Sequence, residues 1–354
     1  MADPSGLSLE PFRGDYEGLE RMAHSSWRDE YGISSFPNFY RPAFLRYLFG
    51  RIKEKDHLIA AYRDGEIVSF LGNVPHTFGF RGRTYRGTWS CLLVTRKELL
   101  RKGHAVAIIN EALRVNQKYQ YDFALATFET GHRSTLMLRR LQAEGNRLEW
   151  MKKIRVIARI LDLKRVGESE GLKTWEKAAV KLIGGAKKPR QGDDAAVREY
   201  RPQDLDHCLA LFNAYKDKIE LARSWEADEL AWELHFPEVA QTLVYEKEGR
   251  VAGAINFICH DHLGKSKERW AWINHVAYPD LSPRERHRFV QTFLRHIRAK
   301  GFIGAIEWTK DYYPQGPFYR AHFFPYFRSV NMYSWTFNPE ISLAKVRACN
   351  EILV

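Results

Sequence analysis

The chain carries the same order of sequence patterns twice, and this repeat is the feature that most restricts its fold. Each copy opens with a short apolar run, an arginine-containing turn and a run of helical apolar spacing, at positions 9–27 and 197–215. A hairpin pattern follows in each copy, with Asp64-Gly65 and Glu248-Gly249 as the turns. The two glycines are 184 residues apart, and the similar offset of later elements indicates an internal duplication.

A strand, a helix and a further strand come next in both copies. TWSCLLV corresponds to AWINHVA, the helix at 105–119 corresponds to that at 284–300, and FALATFE corresponds to GAIEWTK. Another helix and a final strand close each copy, with RLEWMKKIRVIARIL and VNMYSWTF as the final strands. Hairpins followed by strands that alternate with helices predict an α+β protein with two tandem mixed β-sheet domains flanked by helices.

The domain boundaries are expected to follow the repeat, because 354 residues exceed the size at which one core usually divides. We predict a first domain over residues 1–163, a second over 197–340 and a helical tail over 341–354. Residues 164–196 form a basic linker with an amphipathic helix, whose basic side suits a membrane, an acidic partner or simple solvation. The apolar side of that helix has Leu172, Trp175, Val180 and Ile183, and its basic side has Lys173, Lys177 and Lys181.

Composition narrows the possible partners without selecting one. The formal net charge of +12 favours anions, so nucleotides, nucleic acid and acidic membranes all stay open. No apolar run approaches the roughly 20 residues of a membrane-spanning helix, and the amino terminus lacks a secretion signal, so we expect a cytoplasmic protein. The histidines lack the spacing and cysteine neighbours of metal ligands, and no metal site is predicted.

A basic loop with one glycine separates the strand that ends near Val94 from the next helix. The amides in the first turn of a helix point outward, and a glycine lets a phosphate approach the backbone closely. Gly103, followed by a helix from His104, therefore predicts an anion-binding site. The basic residues that would add to its field are Arg96, Lys97, Arg101 and Lys102.

This order of elements and the loop at 100–105 resemble the GNAT N-acyltransferase superfamily, which binds the coenzyme A pyrophosphate with a Gln/Arg-x-x-Gly-x-Gly/Ala loop. Gly103 and Ala105 match that pattern, whereas Leu100 stands at the Gln/Arg position. The resemblance implies that acetyl-CoA or another acyl-CoA is the co-substrate and that a small-molecule or peptide amine is acylated. The binding residues it implies are the strand residues Leu92, Leu93 and Val94, near the family's backbone oxyanion donor, and the loop residues Leu100, Arg101, Lys102, Gly103, His104 and Ala105.

The second copy departs from this loop pattern. The repeat offset places Glu285 opposite Gly103, and a carboxylate there would repel a pyrophosphate. We therefore expect the amino-terminal copy alone to hold the cofactor and the carboxy-terminal copy to be degenerate. This arrangement is similar to that of tandem superfamily members such as the N-myristoyltransferases and the Fem transferases.

Candidate catalytic side chains come from three places. The superfamily's usual proton donor is a tyrosine in the last helix, where the first copy has Leu141 and the second has Tyr319, a candidate acid or a packing residue. Glu129, at the end of FALATFE, is the candidate general base, with helix capping as the alternative. His76 leaves the hairpin strand that borders the acceptor site and is a second candidate, with a structural role as the alternative. The aromatic run at 34–50 either walls a substrate pocket or packs the core.

Two other functions remain open from the sequence. A Fem-like transferase that uses aminoacyl-tRNA would suit the positive charge. A non-catalytic module that binds an acyl-CoA or nucleic acid would suit the missing tyrosine and the degenerate second copy.

Overall fold

The computed structural model describes residues 7–31, 36–100, 102–131, 137–138, 141, 147–185, 187–190, 192 and 195–350. The helices of this part are α1 (Tyr16–Tyr31), α2 (Pro42–Phe49), α3 (His104–Lys118), α4 (Leu163–Ser169), α5 (Thr174–Leu182), α6 (Leu205–Asn213), α7 (Ala227–Leu234), α8 (Pro283–Ala299) and α9 (Gly316–Arg320). The strands are β1 (Leu7–Pro11), β2 (Phe36–Pro37), β3 (Leu58–Arg63), β4 (Glu66–Phe80), β5 (Arg83–Thr95), β6 (Phe123–Glu129), β7 (Leu148–Ile160), β8 (Val197–Glu199), β9 (Leu221–Ser224), β10 (Ala240–Lys247), β11 (Arg250–Leu263), β12 (Lys267–Ala277), β13 (Gly304–Trp308) and β14 (Phe324–Thr336).

The described strands form one sheet of 14 strands, and its order shows the duplication directly. The order is β1-β3-β4-β5-β6-β14-β7-β13-β12-β11-β10-β8, with β2 added to β11 and β9 added to β4. The β5–β6 and β12–β13 pairs are parallel, whereas the other pairs are antiparallel. The two ends of the sheet therefore repeat one mixed arrangement.

The last strand of each copy lies in the half of the sheet built by the other copy. β14 pairs with β6, where Met332 faces Thr127, and β7 pairs with β13, where Ala158 faces Ile306. β7 and β14 also pair with each other at the centre of the sheet. The two copies are thus joined by an exchange of strands, and the boundaries predicted at 163 and 197 mark the repeat in sequence.

Both predicted hairpins form at their predicted turns. Asp64 and Gly65 have positive φ angles of 52° and 81°, and Glu248 and Gly249 have 53° and 73°. Two consecutive residues of positive φ are what a two-residue type I′ turn requires. The alternating apolar residues on either side accordingly pair as β3–β4 and β10–β11.

Helices cover both faces of the first half. On one face, α3 buries Ile108 and Leu113 in a cluster with Ala126 of β6. On the other, Leu19 of α1 packs in a cluster with Phe70 and Trp89. The periodic apolar residues that predicted α1 and α3 therefore form the two core layers of this half.

The linker is helical as predicted, whereas the described part of the tail is not. The linker contains α4 and α5, in line with the helix predicted there. Residues 341–350 contain turns and an isolated bridge between Leu221 and Cys349 in place of the predicted helix. The tail packs Ile341, Leu343 and Val346 against the first half, and these buried side chains are two and then three residues apart.

Candidate functional site

Among the described residues, none fills the space beside Gly103 at the amino terminus of α3. Gly103 is the N-cap residue, and its φ of 89° lies in the left-handed region that favours glycine. A Cβ atom added to Gly103 would have no described heavy atom within 4 Å, so the space beside this backbone is free. The first-turn amides of an α-helix have no intrahelical acceptor and suit an anion. Leu100, Lys102, His104 and Ala105 lie at this turn as predicted, and Arg101 lies outside the described residues.

The matching end of α8 is closed by its own side chains. The Ser282 hydroxyl accepts a hydrogen bond from the Glu285 amide at 3.3 Å, and the Glu285 carboxylate accepts one from the Ser282 amide at 2.7 Å. Lys247 binds the same carboxylate at 3.1 Å. These hydrogen bonds, those to Ser282 above all, lower the pKa of Glu285 to about 2. Glu285 lies at the third helical position, and the structural counterpart of Gly103 is Ser282.

A bulge in β5 places Leu92 and Leu93 where the sheet opens. Both residues face the single residue Leu71 of β4, and Leu92 has a φ of 56°. The parallel pairing of β5 with β6 ends at Ser90, one residue before Cys91, so the two strands separate beside the bulge. The Tyr40 hydroxyl donates to the Leu92 carbonyl at 3.0 Å, and this bond holds the strained backbone in place.

An apolar cavity of about 280 Å³, here called the first cavity, lies beside this opening. Leu92, Leu93 and Glu129 line it, together with Phe36 and Phe39 from the aromatic run. A smaller cavity of about 70 Å³ lies between α3 and the same strands and shares Leu92 and Leu93 with it. The opening between β5 and β6 therefore has space on both faces of the sheet.

The polar groups of the first cavity include a carboxyl that the sequence did not suggest. Glu170 follows α4 and lines the cavity, and burial raises the pKa of its carboxyl to about 7. Arg328 and His262 also line it; His262 accepts a hydrogen bond from the Trp272 indole at 2.9 Å. Burial, with the nearby His260, holds the pKa of His262 well below its ordinary value. Glu170 lies in a linker that sequence patterns assign to no domain, so only its surroundings identify it.

His76 lies in a different cavity, here called the second cavity, of about 300 Å³. It pairs with Gly87 of β5, five residues before Leu92, a separation of about 16 Å at 3.3 Å per strand residue. The structure therefore does not bring His76 and Glu129 together. The long β4–β5 hairpin carries His76 away from the bulge, and its candidate role at the acceptor site stays a prediction.

A buried charge cluster fills one wall of the second cavity. Arg223 of β9 binds Glu229 at 2.5 Å and also binds Glu233, both from α7. His76 Nδ1 contacts Glu229 at 3.1 Å, and His275 Nε2 contacts Glu233 at 2.9 Å. Burial, and then Arg223, lower the pKa of His76. Burial above all, with Arg223 and Lys310, also lowers the pKa of His275 despite Glu233. The buried carboxylates are thus paired, as stability requires of charges removed from water.

The tyrosine candidate lies away from both cavities. Tyr319 is 44% exposed on the short helix α9 and is not a lining residue of either cavity in the described part of the chain. The adjacent Phe318 and the nearby Phe323 are buried. Leu141, at the tyrosine position of the first copy, is fully buried in the core beneath α3.

The described residues also bear on other kinds of site. They contain no group of three His, Cys, Asp or Glu side chains placed to hold a metal ion. None of their helices is long and apolar enough to cross a membrane.

Comparison with known proteins identifies the fold. No protein-family model matches the sequence, and no curated protein matches it either. A structure of Saccharomyces cerevisiae N-myristoyltransferase with bound myristoyl-CoA and inhibitors is similar over 100% of this chain and 88% of that one, with a TM-score of 0.80 and 15% identity. A second structure of that enzyme with myristoyl-CoA gives a TM-score of 0.79 over 91% of its length, with 16% identity. A GCN5-related N-acetyltransferase from Kribbella flavida gives 0.52 at 12% identity, over 94% of this chain and 71% of that one.

These likenesses extend over both copies of the repeat, since the first two span the whole chain. They confirm the fold expected from the glycine loop and the duplicated order of elements. The chain has the GNAT fold in the tandem arrangement of N-myristoyltransferase.

Proposed function

We propose that this protein is an acyl-CoA-dependent N-acyltransferase whose amino-terminal half binds the coenzyme. The observation that carries this proposal is the open amino terminus of α3 at Gly103, next to the gap between β5 and β6. A pyrophosphate at the helix end would place the thioester arm along a path toward Leu92 and Leu93. The neighbouring N-myristoyltransferase structures contain myristoyl-CoA, which supports an acyl-CoA as co-substrate.

The first cavity provides the groups that the reaction needs. The amine nitrogen attacks the thioester carbonyl carbon, the carbon–nitrogen bond forms, and the carbon–sulfur bond breaks to release a thiolate. In this proposal the amides of the bulge at Leu92 and Leu93 stabilise the oxyanion, which is supported by the bulge in β5 beside the cavity. Glu170, with a pKa near 7, is suited to accept the amine proton, and Glu129 is the alternative base in the same cavity. The proton taken from the amine balances the one that the thiolate gains.

The walls of the first cavity favour an apolar group. Its aromatic residues include Trp27, Phe36 and Phe39. Burial of each methylene group in such a cavity contributes about 0.8 kcal/mol. We therefore propose that the acyl group or the acceptor carries a hydrophobic chain, and that a peptide or small-molecule amine enters beside it.

Thermal unfolding tests the coenzyme site. Coenzyme A at 100 times its Kd should stabilise the wild-type protein by about 2.7 kcal/mol. Gly103→Glu should abolish this stabilisation by coenzyme A, because it adds a carboxylate at the proposed pyrophosphate site. Gly249→Glu is the matched control, because Gly249 also has a positive φ and open surroundings but lies in the hairpin of the second half. Equal shifts in both variants would exclude the Gly103 site.

Thiol release separates catalysis from binding alone. Acyl-CoA incubated with a panel of amines should release free coenzyme A only when an acceptable amine is present. Stabilisation by coenzyme A without thiol release would favour the acyl-CoA-binding module. RNA binding that weakens steeply with salt, without a coenzyme A shift, would favour the aminoacyl-tRNA alternative.

A further inference from the structure

Helix α5 in the linker turns its apolar side toward solvent. Trp175 is 66% exposed, Leu182 is 89% exposed and Ile183, directly after the helix, is 53% exposed. The exposed Ala178 and Ala179 lie between them. The spacing i, i+3, i+4, i+7 and i+8 places all five on one side of a helix. This apolar stripe is defined by those five residues.

The body of the protein fixes this orientation. Val180, which the sequence pattern groups with Trp175 and Ile183, instead faces the body of the protein and packs against the cluster formed by β7, β12 and β13. Lys177 lies over Gly167 of α4, and Arg159 of β7 binds the carbonyls of Gly185 and Lys187 just after the helix. Rotation of α5 to bury the stripe would break these contacts. The exposed stripe is therefore a property of the folded chain.

Positive charge surrounds the apolar stripe. Residues 164–190 contain eight lysines and arginines against three glutamates. That is a net charge of +5 from a total of +12 for the chain. Four exposed lysines border the helix, and none of them forms an ion pair with a described carboxylate: Lys173, Lys181, Lys187 and Lys188. Glu176 accepts a hydrogen bond from the Lys173 amide and so caps the helix.

We propose that α5 docks the protein onto an anionic lipid surface. A tryptophan and two large aliphatic side chains that face outward, with lysines beside them and at both ends, have the composition of a helix that lies in the membrane interface. Each lysine near an anionic surface contributes about 1 kcal/mol to the free energy of binding. This contribution is needed because the apolar stripe is short. An acidic protein would pair with the lysines but would leave Trp175 and Leu182 exposed unless it also offered an apolar groove.

The position of α5 gives the docking a consequence for the first cavity. Glu170 lines that cavity, and α5 begins four residues later at Thr174. Tyr326 and Arg328 of β14 line the same side of the cavity. Docking through α5 thus brings the cavity close to the lipid surface, where an amphiphilic substrate accumulates. The docking itself does not rest on the proposed function.

Sedimentation with lipid vesicles tests the proposal. The probes are vesicles of phosphatidylcholine alone and vesicles with one third phosphatidylserine, each at low and at high salt. We compare the full chain with the triple variant Trp175→Ser, Leu182→Ser, Ile183→Ser and with Lys173→Glu, Lys181→Glu. The matched control is Leu9→Ser with Trp150→Ser, which removes exposed apolar side chains from β1 and β7. All the substituted side chains are exposed, so folding is preserved.

The expected result is binding to the anionic vesicles that falls at least roughly tenfold in the triple-serine variant and in the charge variant, and that weakens with salt. The control should bind as the wild type does. Equal binding of the wild type and the triple-serine variant, or no binding to anionic vesicles at low salt, would overturn the proposal. A dimer of the free protein that the triple-serine variant abolishes would also overturn it, in favour of contact between two copies.

Discussion

The amino termini of α3 and α8 occupy matching places in the two copies, yet their backbone amides meet different partners. In the first copy, the N-cap is Gly103, and no described residue fills the space beside it. In the second, Ser282 and Glu285 close the helix end, with Lys247 against the carboxylate. One duplicated element thus leaves room for the proposed anion site in one half and forms a stabilising cap in the other, and two residues account for the difference.

The two cavities differ as the two helix ends do. In the first, Leu92 and Leu93 bulge from β5 and Glu170 has a pKa near 7. In the second, β12 bulges at Asn274, but Arg223 and Lys310 neutralise the nearby carboxylates. The second half has used its polar groups for internal pairing. Substitutions in the first cavity should therefore reduce catalysis, whereas substitutions in the second half should reduce stability.

The largest effect is expected in the first cavity. Glu170→Gln should lower kcat by about 10²- to 10⁴-fold, the usual contribution of a general base. Glu168→Gln, at an exposed residue of the preceding helix α4, is the control. In the wild type, kcat should rise with pH through about 7, because the base must be deprotonated. A pH–rate profile with the same rise in the variant would assign the base elsewhere, with Glu129 as the next candidate.

The raised pKa of the Glu170 carboxyl also predicts how the stability of the protein depends on pH. Its folded pKa is raised, so it favours folding at low pH, and this contribution is lost as pH rises through about 7. Glu170→Gln should therefore gain stability relative to the wild type as pH increases from 6 to 8. Urea unfolding at both values measures the difference, and an unchanged difference would contradict the burial of Glu170.

In the second half, the expected loss is in stability. Lys310→Met should destabilise the fold by about 3–5 kcal/mol at pH 8, because it leaves the fully buried Glu307 without its partner at 2.9 Å. Burial raises the pKa of Glu307 to about 7, so protonation at pH 6 should reduce the loss. Urea unfolding measures both. A loss below 1 kcal/mol at pH 8 would show that the second cavity is less tightly paired than its geometry indicates.

A substitution at the bulge of the first half is the counterpart of Lys310→Met, and we expect it to cause a smaller loss of stability. Lys310 donates to the carbonyl of Asn274 at 2.6 Å, as Tyr40 does to that of Leu92. Tyr40→Phe removes a neutral hydrogen bond to a buried carbonyl and should cost about 1–3 kcal/mol. It should also lower kcat more than Lys310→Met does, since only the bulge at Leu92 borders the first cavity. Equal effects on kcat would remove the distinction between the two bulges.

The smallest effect concerns the helix ends themselves. Ser282→Ala should destabilise the protein by about 1 kcal/mol, the usual value of an N-cap side chain. Gly103→Ser, although serine is a favourable cap, should also destabilise it by about 1 kcal/mol, because a side chain at a φ of 89° is strained. Thermal unfolding tests both. Stabilisation by Gly103→Ser would mean that the two helix ends are alike.

Local patterns predicted local structure well. Asp64-Gly65 and Glu248-Gly249 form the hairpin turns, and α3 begins at His104 directly after Gly103. These features depend on neighbouring residues, so the sequence alone reveals them. Glu129 lies near the opening of the sheet because a parallel strand after a helix ends at the same edge as the strand before it, and its role as general base stays a prediction.

Features that join distant segments were not predictable. The charge cluster of the second cavity brings His76 of β4 to Arg223 of β9 and Glu229 of α7, and no spacing in one segment encodes that contact. The pKa of Glu170 depends on burial by residues of β14 and β7, far along the chain. The sequence also does not show which half of the sheet β7 and β14 join, because either sheet edge accepts an apolar strand of that length.

The exchange of β7 and β14 has a consequence for synthesis on the ribosome. The edge of β6 at Phe123–Glu129 stays unpaired until Phe324–Thr336 has been made, nearly 200 residues later. At about 5–20 residues per second, this interval lasts roughly 10–40 s. During it the nascent amino-terminal module presents a bare strand edge that can recruit another chain. Rare codons after β6, or a shortage of chaperone, should therefore reduce the yield of native protein without any change in its sequence.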